Sequence, residues 1–94
     1  MKVLWSRRAI RRLATIRGYI SRDRPVAASG VATAIIEASQ LLERFPLSGR
    51  AGRVEGTREL VVPGLPYVLP YRIIESQIEI ISVIHASRQW PEKL

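Results

Sequence analysis

The chain contains no cysteine and a single histidine, His85. The first absence excludes disulfides and thiolate metal sites, and the second excludes a histidine-rich zinc site. No metal and no cofactor are therefore expected, and a cysteine-free composition fits a reducing cytoplasm. Long apolar runs are also missing: none approaches the roughly 20 residues of a membrane span, so no membrane partner is expected. The opening "MKVLWSRRAIRRL" has neither the unbroken apolar stretch nor the small-residue cleavage site of a signal peptide. The mature protein is expected to begin there.

Acidic residues are scarce where they matter most. Residues 1–24 hold eight Lys/Arg against one acid, Asp23. Residues 25–56 balance Arg44, Arg50 and Arg53 against Glu37, Glu43 and Glu55, and residues 57–94 balance four cations against four acids. The whole net charge of +7 therefore sits in the first quarter of the chain. Such segregation points to an acidic partner, either nucleic acid or an acidic protein. The length of 94 residues fits one domain, 1–94, and 47% hydrophobic residues suffice for a small core without a covalent staple.

"KVLW" (2–5) reads as a short strand with Val3 and Trp5 on one side, and Ser6 as the cap of a following helix. Over 7–22 the apolar Ala9, Ile10, Leu13, Ile16 and Ile20 keep helical spacing and share one arc. Arg7, Arg8, Arg11, Arg12 and Arg22 take the opposite arc, and Arg17 falls between Ile10 and Leu13, placed to snorkel to the core's rim. Arg7/Arg11 and Arg8/Arg12 are like-charged i,i+4 pairs, each costing about 0.2–0.5 kcal/mol. Nothing acidic in the helix relieves them. Pro25 opens a second helix, expected to run to Phe45, where Pro46 stops it. The short link makes the two helices an antiparallel hairpin.

"PLSGRAGRVEG" (46–56) is the one long loop. No helix clearly follows its glycines, which excludes a Walker loop or a dinucleotide fingerprint. Strands are expected at 57–62, 67–74 and 77–86, the last two joined by a tight turn at Glu75-Ser76. Pro70 lies mid-strand, where a proline removes a ladder donor, so a bulge or missing bond is expected there. The closing "PEKL" is expected to be loose. The fold class is α+β: β-α-α-β-β-β, a helical hairpin on one face of a mainly antiparallel four-stranded sheet.

"VLWSRRAIRRLATIRGYI", "RDRPVAA", "RFPLSGRAGRVEGTRELVV", "LPYVLPYRI" and "IEIISVIHASRQWP", in that order, resemble the RelE/ParE superfamily. Its members are the toxic halves of bacterial type II toxin–antitoxin pairs. The likeness covers nearly the whole chain, and the ending "VIHASRQW" is closer to the ParE type. It implies a short acidic antitoxin that wraps the toxin, forming a hetero-oligomer, with Arg7, Arg8, Arg11, Arg12 and Arg17 as its binding face. It implies one of two targets: DNA gyrase, inhibited without hydrolysis, or messenger RNA cut on the ribosome.

Metal-free RNA cleavage needs a base, an acid and cations for the phosphate. Nuclease members that this chain resembles carry an arginine where Val68 stands and basic residues where Glu59 and Val61 stand. The phosphate-gripping set is thus depleted, and the ParE type leads, with no catalytic residue. Its target-binding residues are then Arg50, Arg53, Arg58, Arg72, His85, Arg88 and Trp90. In the alternative, an mRNA endonuclease, Arg58, Arg72, His85 and Arg88 are the catalytic set. Their convergence depends on strand register, because a slip of one residue sends each side chain to the opposite face. Otherwise His85 simply finishes a strand, Trp90 lids the core, and Tyr67 and Tyr71 line core or groove.

Overall fold

Trp5 is the last residue of a strand and Arg7 the first of a helix, so Ser6 serves both. Its backbone is extended, and its hydroxyl accepts from the Ala9 amide (3.0 Å), the expected cap. The same hydroxyl donates to the Ile81 carbonyl (2.8 Å), and the Ser6 amide donates to the Ile80 carbonyl (3.0 Å). The start of the helix is thereby tied to the end of a strand far away in sequence.

The computed structural model describes residues 1–88, 90 and 94. Within them the elements are β1 (Lys2–Trp5), α1 (Arg7–Ser21), α2 (Pro25–Gln40), a 3₁₀ turn (Leu41–Glu43), β2 (Arg50–Ala51), β3 (Arg58–Val61), β4 (Tyr67–Ile74), β5 (Gln77–Ile80) and β6 (Ile84–His85). The expected order is present. The second helix is shorter than its apolar spacing predicts: regular α geometry ends at Gln40 and tightens, with the Arg44 and Phe45 amides both bonded to Leu41. The expected looseness at 91–94 concerns a tail whose residues 91–93 lie outside the described residues.

The stretch Pro25–Glu43 is long and apolar enough, by composition, to cross a membrane, which corrects the expectation that no run approaches that length. Here its apolar side packs onto the sheet. Ala28, Ile35, Ala38 and Leu42 are buried, and Ile35, Ala38 and Leu42, with Ala9 of α1, form one core with Leu69, Tyr71, Ile78 and Ile80 of β4 and β5. The Trp5 indole donates to Ser39 Oγ (3.3 Å), joining β1 to the buried side of α2.

Strand order is β1-β5-β4-β3-β2, with β6 pairing to β4 beyond the end of β5. The four expected strands are all there, the last of them divided into β5 and β6, and β2 adds a short one. β1 runs parallel to β5, and the other pairs are antiparallel. Parallel pairing needs a long connection, and the helical hairpin and the intervening strands supply one between β1 and β5.

The last expected strand, 77–86, is broken in two, and Pro70 marks the place. Tyr71 pairs with Ile80, yet Val68 pairs with Ile84, so the β5–β6 side carries one extra residue. This is a β-bulge, as expected near Pro70. The Pro70 carbonyl accepts from the Ile81 amide (2.9 Å), so the amide that proline lacks would face this same neighbour. The slip reverses the faces. Ile78 and Ile80 point to the helices, and uninterrupted alternation would put His85 on the other side. With the bulge, His85 stands opposite Tyr67, on the helix side.

Glu75 and Ser76, the hairpin turn, have φ of 50° and 62°. Two successive left-handed residues define a type I′ turn, which favours Asn-Gly. Left-handed backbone costs an ordinary residue roughly 1–2 kcal/mol. Replacing Glu75-Ser76 by Asn-Gly is therefore expected to raise stability by about 1 kcal/mol, read as a higher urea midpoint with an unchanged slope. A lower midpoint would show that the turn carries no such strain.

Candidate functional site

A groove of about 570 Å³ lies between α1 and the strand end around β6. One wall is a helical stripe, Arg8, Arg12, Thr15 and Tyr19, over a floor that includes Ile16 and Ile20. The other wall is Tyr67, the Ser82–His85 segment and Arg88, and Leu94 also lines the groove. No acidic side chain lines it among the described residues. The stripe exists because positions three and four apart share a helix face. The opposite wall exists because the bulge turns His85 inward.

Within the groove the His85 ring meets Tyr67 edge to face, with centroids 5.5 Å apart. His85 Nδ1 accepts from the Ser87 amide (3.2 Å) and lies 2.8 Å from Ser87 Oγ. An amide can only donate, so Nδ1 is the proton-free nitrogen and Nε2 carries the ring proton. With Nδ1 accepting in this way, the remaining ring nitrogen is a hydrogen-bond donor, where a general base would need an acceptor.

The candidate residues do not gather in one place. His85 and Arg88 share the groove, joined by Arg8 and Arg12. Arg58 shares the helix-facing side of the sheet but stands beside Tyr71, four residues along β4 from Tyr67, about 13 Å away. Its guanidinium donates to the Gly49 (2.7 Å) and Leu47 (3.3 Å) carbonyls. Arg72 is on the opposite face, its Nε 2.8 Å from Glu79 Oε1. The set Arg58, Arg72, His85 and Arg88 is thus dispersed.

Arg50 and Arg53, expected among the target-binding residues, are held by Glu59. That carboxylate is only 2% exposed. It accepts from Arg50 Nε (3.1 Å) and the Arg53 amide (2.9 Å), with Arg53 Nε at 3.5 Å. The Arg53 guanidinium lies over the Trp90 ring, 3.8 Å from its centroid, a cation–π contact that places Trp90 against the loop. The loop is pinned again by Tyr71, whose fully buried hydroxyl donates to the Pro46 carbonyl (2.8 Å) and accepts from the Gly49 amide (2.9 Å). A side chain at Gly49 would collide with that ring, so the close approach requires glycine.

Arg7, Arg8, Arg11, Arg12 and Arg17 are all exposed, and among the described residues none has a carboxylate within 4.0 Å. Arg17 is exposed rather than tucked at the core's rim, and its neighbour Ile10 is half exposed. Sequence reasoning passed over Tyr19, which is 71% exposed on the groove's rim. Its place after Arg8, Arg12 and Thr15 at spacings of four and three was the available signal. Glu59 was noted only as an acid where a cation would suit a nuclease, and its burial could not be read from alternation alone.

Comparison with known proteins covers the same span. Residues 3–90 match the family described as ParE toxin of type II toxin-antitoxin system, parDE. A protein named as a candidate toxin, Y4kP of Sinorhizobium fredii, is 46% identical over 99% of this chain and 96% of its own length. Toxin RelE2 of Caulobacter vibrioides is 33% identical over 93% of this chain and 97% of its own. A solved chain from the chromosomal ParDE TA system of P. aeruginosa superposes with a TM-score of 0.86, covering 93% of this chain and 97% of that one. At 24% identity, that likeness establishes the fold alone.

Glu59→Ala removes the acceptor of one loop amide and the partner of two guanidiniums. Because Arg50 and Arg53 are about half exposed and can return to water, the expected destabilisation is about 2 kcal/mol, measured by urea unfolding. An unchanged midpoint would mean that the carboxylate does not hold the loop.

Proposed function

This chain belongs to the ParE toxin family of type II toxin–antitoxin systems, and from that premise we propose that it is a toxin of the gyrase-directed type. It binds DNA gyrase in the cytoplasm without hydrolysing nucleic acid, and a cognate acidic antitoxin neutralises it as a hetero-oligomer. The observation that carries the non-hydrolytic choice is the dispersal of the four candidate catalytic residues. Arg58 is spent on loop carbonyls and Arg72 on Glu79. His85, with Nδ1 accepting from the Ser87 amide, offers a donor at its remaining nitrogen. The antitoxin surface is α1, where five arginines stand without described carboxylate partners and would lose their mutual repulsion against an acidic polypeptide. Groove and sheet-end residues, His85 and Arg88 first, are the target-facing side. Arg50, Arg53 and Trp90, on a loop braced by Glu59 and the cation–π contact, complete the proposed target-binding set.

The alternative, ribosome-dependent mRNA cleavage, draws support from one feature: His85 and Arg88 do share a groove with two further arginines. The two mechanisms separate in paired assays, one of gyrase supercoiling and one of translating ribosomes with mapped mRNA ends. The expected result is inhibited supercoiling with intact mRNA. Codon-periodic cuts that vanish in His85→Ala would replace the gyrase mechanism with the nuclease one. Silence in both assays would leave the chain as a non-toxic member that only binds its antitoxin.

The antitoxin surface has its own test. Affinity for the cognate antitoxin is expected to fall as salt is raised, because exposed pairs are screened over about 8–10 Å. It is also expected to fall in the Arg8→Glu/Arg12→Glu variant, by titration calorimetry. Affinity indifferent to both would assign the interface to apolar contacts.

A further inference from the structure

We propose that the segment from Leu41 to Ser48 is a self-association surface, on which a second copy of this chain docks across a two-fold axis. This goes beyond the toxin assignment and depends on neither of its proposed partners. The first ground is a fixed backbone beneath exposed apolar side chains. Leu41, Phe45 and Leu47 are 54%, 59% and 65% open to solvent. Phe45, Pro46 and Leu47 line one open apolar hollow, and Leu41 stands one helical turn before Phe45, whose amide donates to its carbonyl (3.0 Å). Under these side chains the carbonyls are all held. That of Phe45 accepts from the Ser48 amide (3.1 Å), that of Pro46 from the buried Tyr71 hydroxyl, and that of Leu47 from Arg58. A loose loop could turn its apolar groups inward, and this one is tied with them outward. Single exposed apolar residues are ordinary, whereas a contiguous group marks a contact surface. One that is already ordered loses little freedom on binding.

The second ground is charge, and it selects the occupant. Two copies of a chain with net charge +7 repel each other, so they can meet only where the rim is neutral. The exposed Ile10 sits among Arg7, Arg8, Arg11 and Arg12, and Val26 follows Arg22 and Arg24, so contact at either brings like charges together. Around Leu41–Ser48 the exposed Glu37 and Glu43 balance Arg44 and the N-terminal ammonium, which donates to the Glu43 carbonyl (2.8 Å). Neither Glu43 nor Arg44 has an ion partner among the described residues. A uniformly acidic polypeptide finds no complement in such a rim. A two-fold axis does, because every contact is repeated in reverse, so Glu43 of each copy faces Arg44 of the other. The segment has eight residues, against roughly 20–30 a side in a standard interface, so the dimer is weak and forms at high concentration.

The test is sedimentation velocity of the purified full chain, from micromolar to millimolar concentration. A monomer is expected to pass into a dimer and no larger species, since a two-fold contact closes on itself. F45S/L47S is expected to stay monomeric throughout. Y19S/V26S, which removes comparably exposed apolar groups elsewhere, is expected to leave association unchanged. R44E and E43R are each expected to weaken the dimer about tenfold, because each exposed pair counts twice across the axis. The double swap E43R/R44E re-forms both pairs and is expected to restore the dimer to within about threefold. R44E also lowers the net charge, so bulk repulsion alone would make that variant associate more strongly.

A monomer at every concentration would overturn the proposal. So would a dimer that survives F45S/L47S, that Y19S/V26S dissolves, that R44E tightens or that the swap fails to restore, and so would open-ended oligomers. If F45S/L47S proves unfolded by circular dichroism, the charge series decides, since both of its positions are exposed. No gyrase, ribosome or antitoxin is present in these runs. Supercoiling inhibited by a strictly monomeric chain therefore sinks only this proposal, and a dimer that is silent in both target assays sinks only the toxin mechanism.

Discussion

A proline without an amide hydrogen, in the middle of β4, governs the shape of the working end of this molecule. Pro70 cannot donate to its neighbour on the β5 side, and there the ladder takes one extra residue. β5 stops at Ile80, β6 begins at Ile84, and the interval is where Ser6 fastens α1 to the Ile80 and Ile81 carbonyls. The sheet thus parts where the helix is anchored, and a groove opens between them. The same slip turns His85 from the outer face to the helix face. A lone histidine, two tyrosines and three arginines share one cavity because of a single missing hydrogen-bond donor.

The arginines divide by what they touch. Arg50, Arg53, Arg58 and Arg72 have internal partners: a buried carboxylate, an indole ring, loop carbonyls and a cross-strand glutamate. They brace the β2–β3 loop and the sheet. Arg7, Arg8, Arg11, Arg12 and Arg17 have no described carboxylate partner, and on α1 they crowd one another. Folding therefore brings the acids of the second half to the arginines of the second half, and leaves the first helix as a field of like charge. That repulsion is small against the apolar packing of Ala9, Leu13 and Ile16 beneath it, and contact with an anionic partner relieves it.

The one buried carboxylate described in the sheet, Glu59, pairs with Pro70 on the face opposite the groove. Glu59 is satisfied by three donors and held out of water. It is occupied as a brace and is not a free acid or base. The residues left available around the groove donate hydrogen bonds and carry positive charge. They are suited to gripping an anion, and proton abstraction is the step they serve worst.

Local pattern determined much of this protein. Three-to-four spacing placed both helices, the N-cap at Ser6 and Pro25 marked their starts, and alternation with Glu75-Ser76 placed the β4–β5 hairpin. Charge counting put the uncompensated cations on α1, and the proline rule located the bulge. These features depend on neighbours within a few residues, so a string of letters carries them. Tertiary structure decided what depends on register and on contacts distant in sequence. It decided that β1 runs parallel to β5, that Arg58 stands well along the sheet from His85 and Arg72 on its other face, and that Glu59 captures Arg50 and Arg53. It also decided that Arg8, Arg12 and Tyr19 look across at β6. The bulge could be foreseen at Pro70, but not which strand would take the extra residue. That choice alone sets the face on which His85 stands, because side chains in a strand alternate with a period of two.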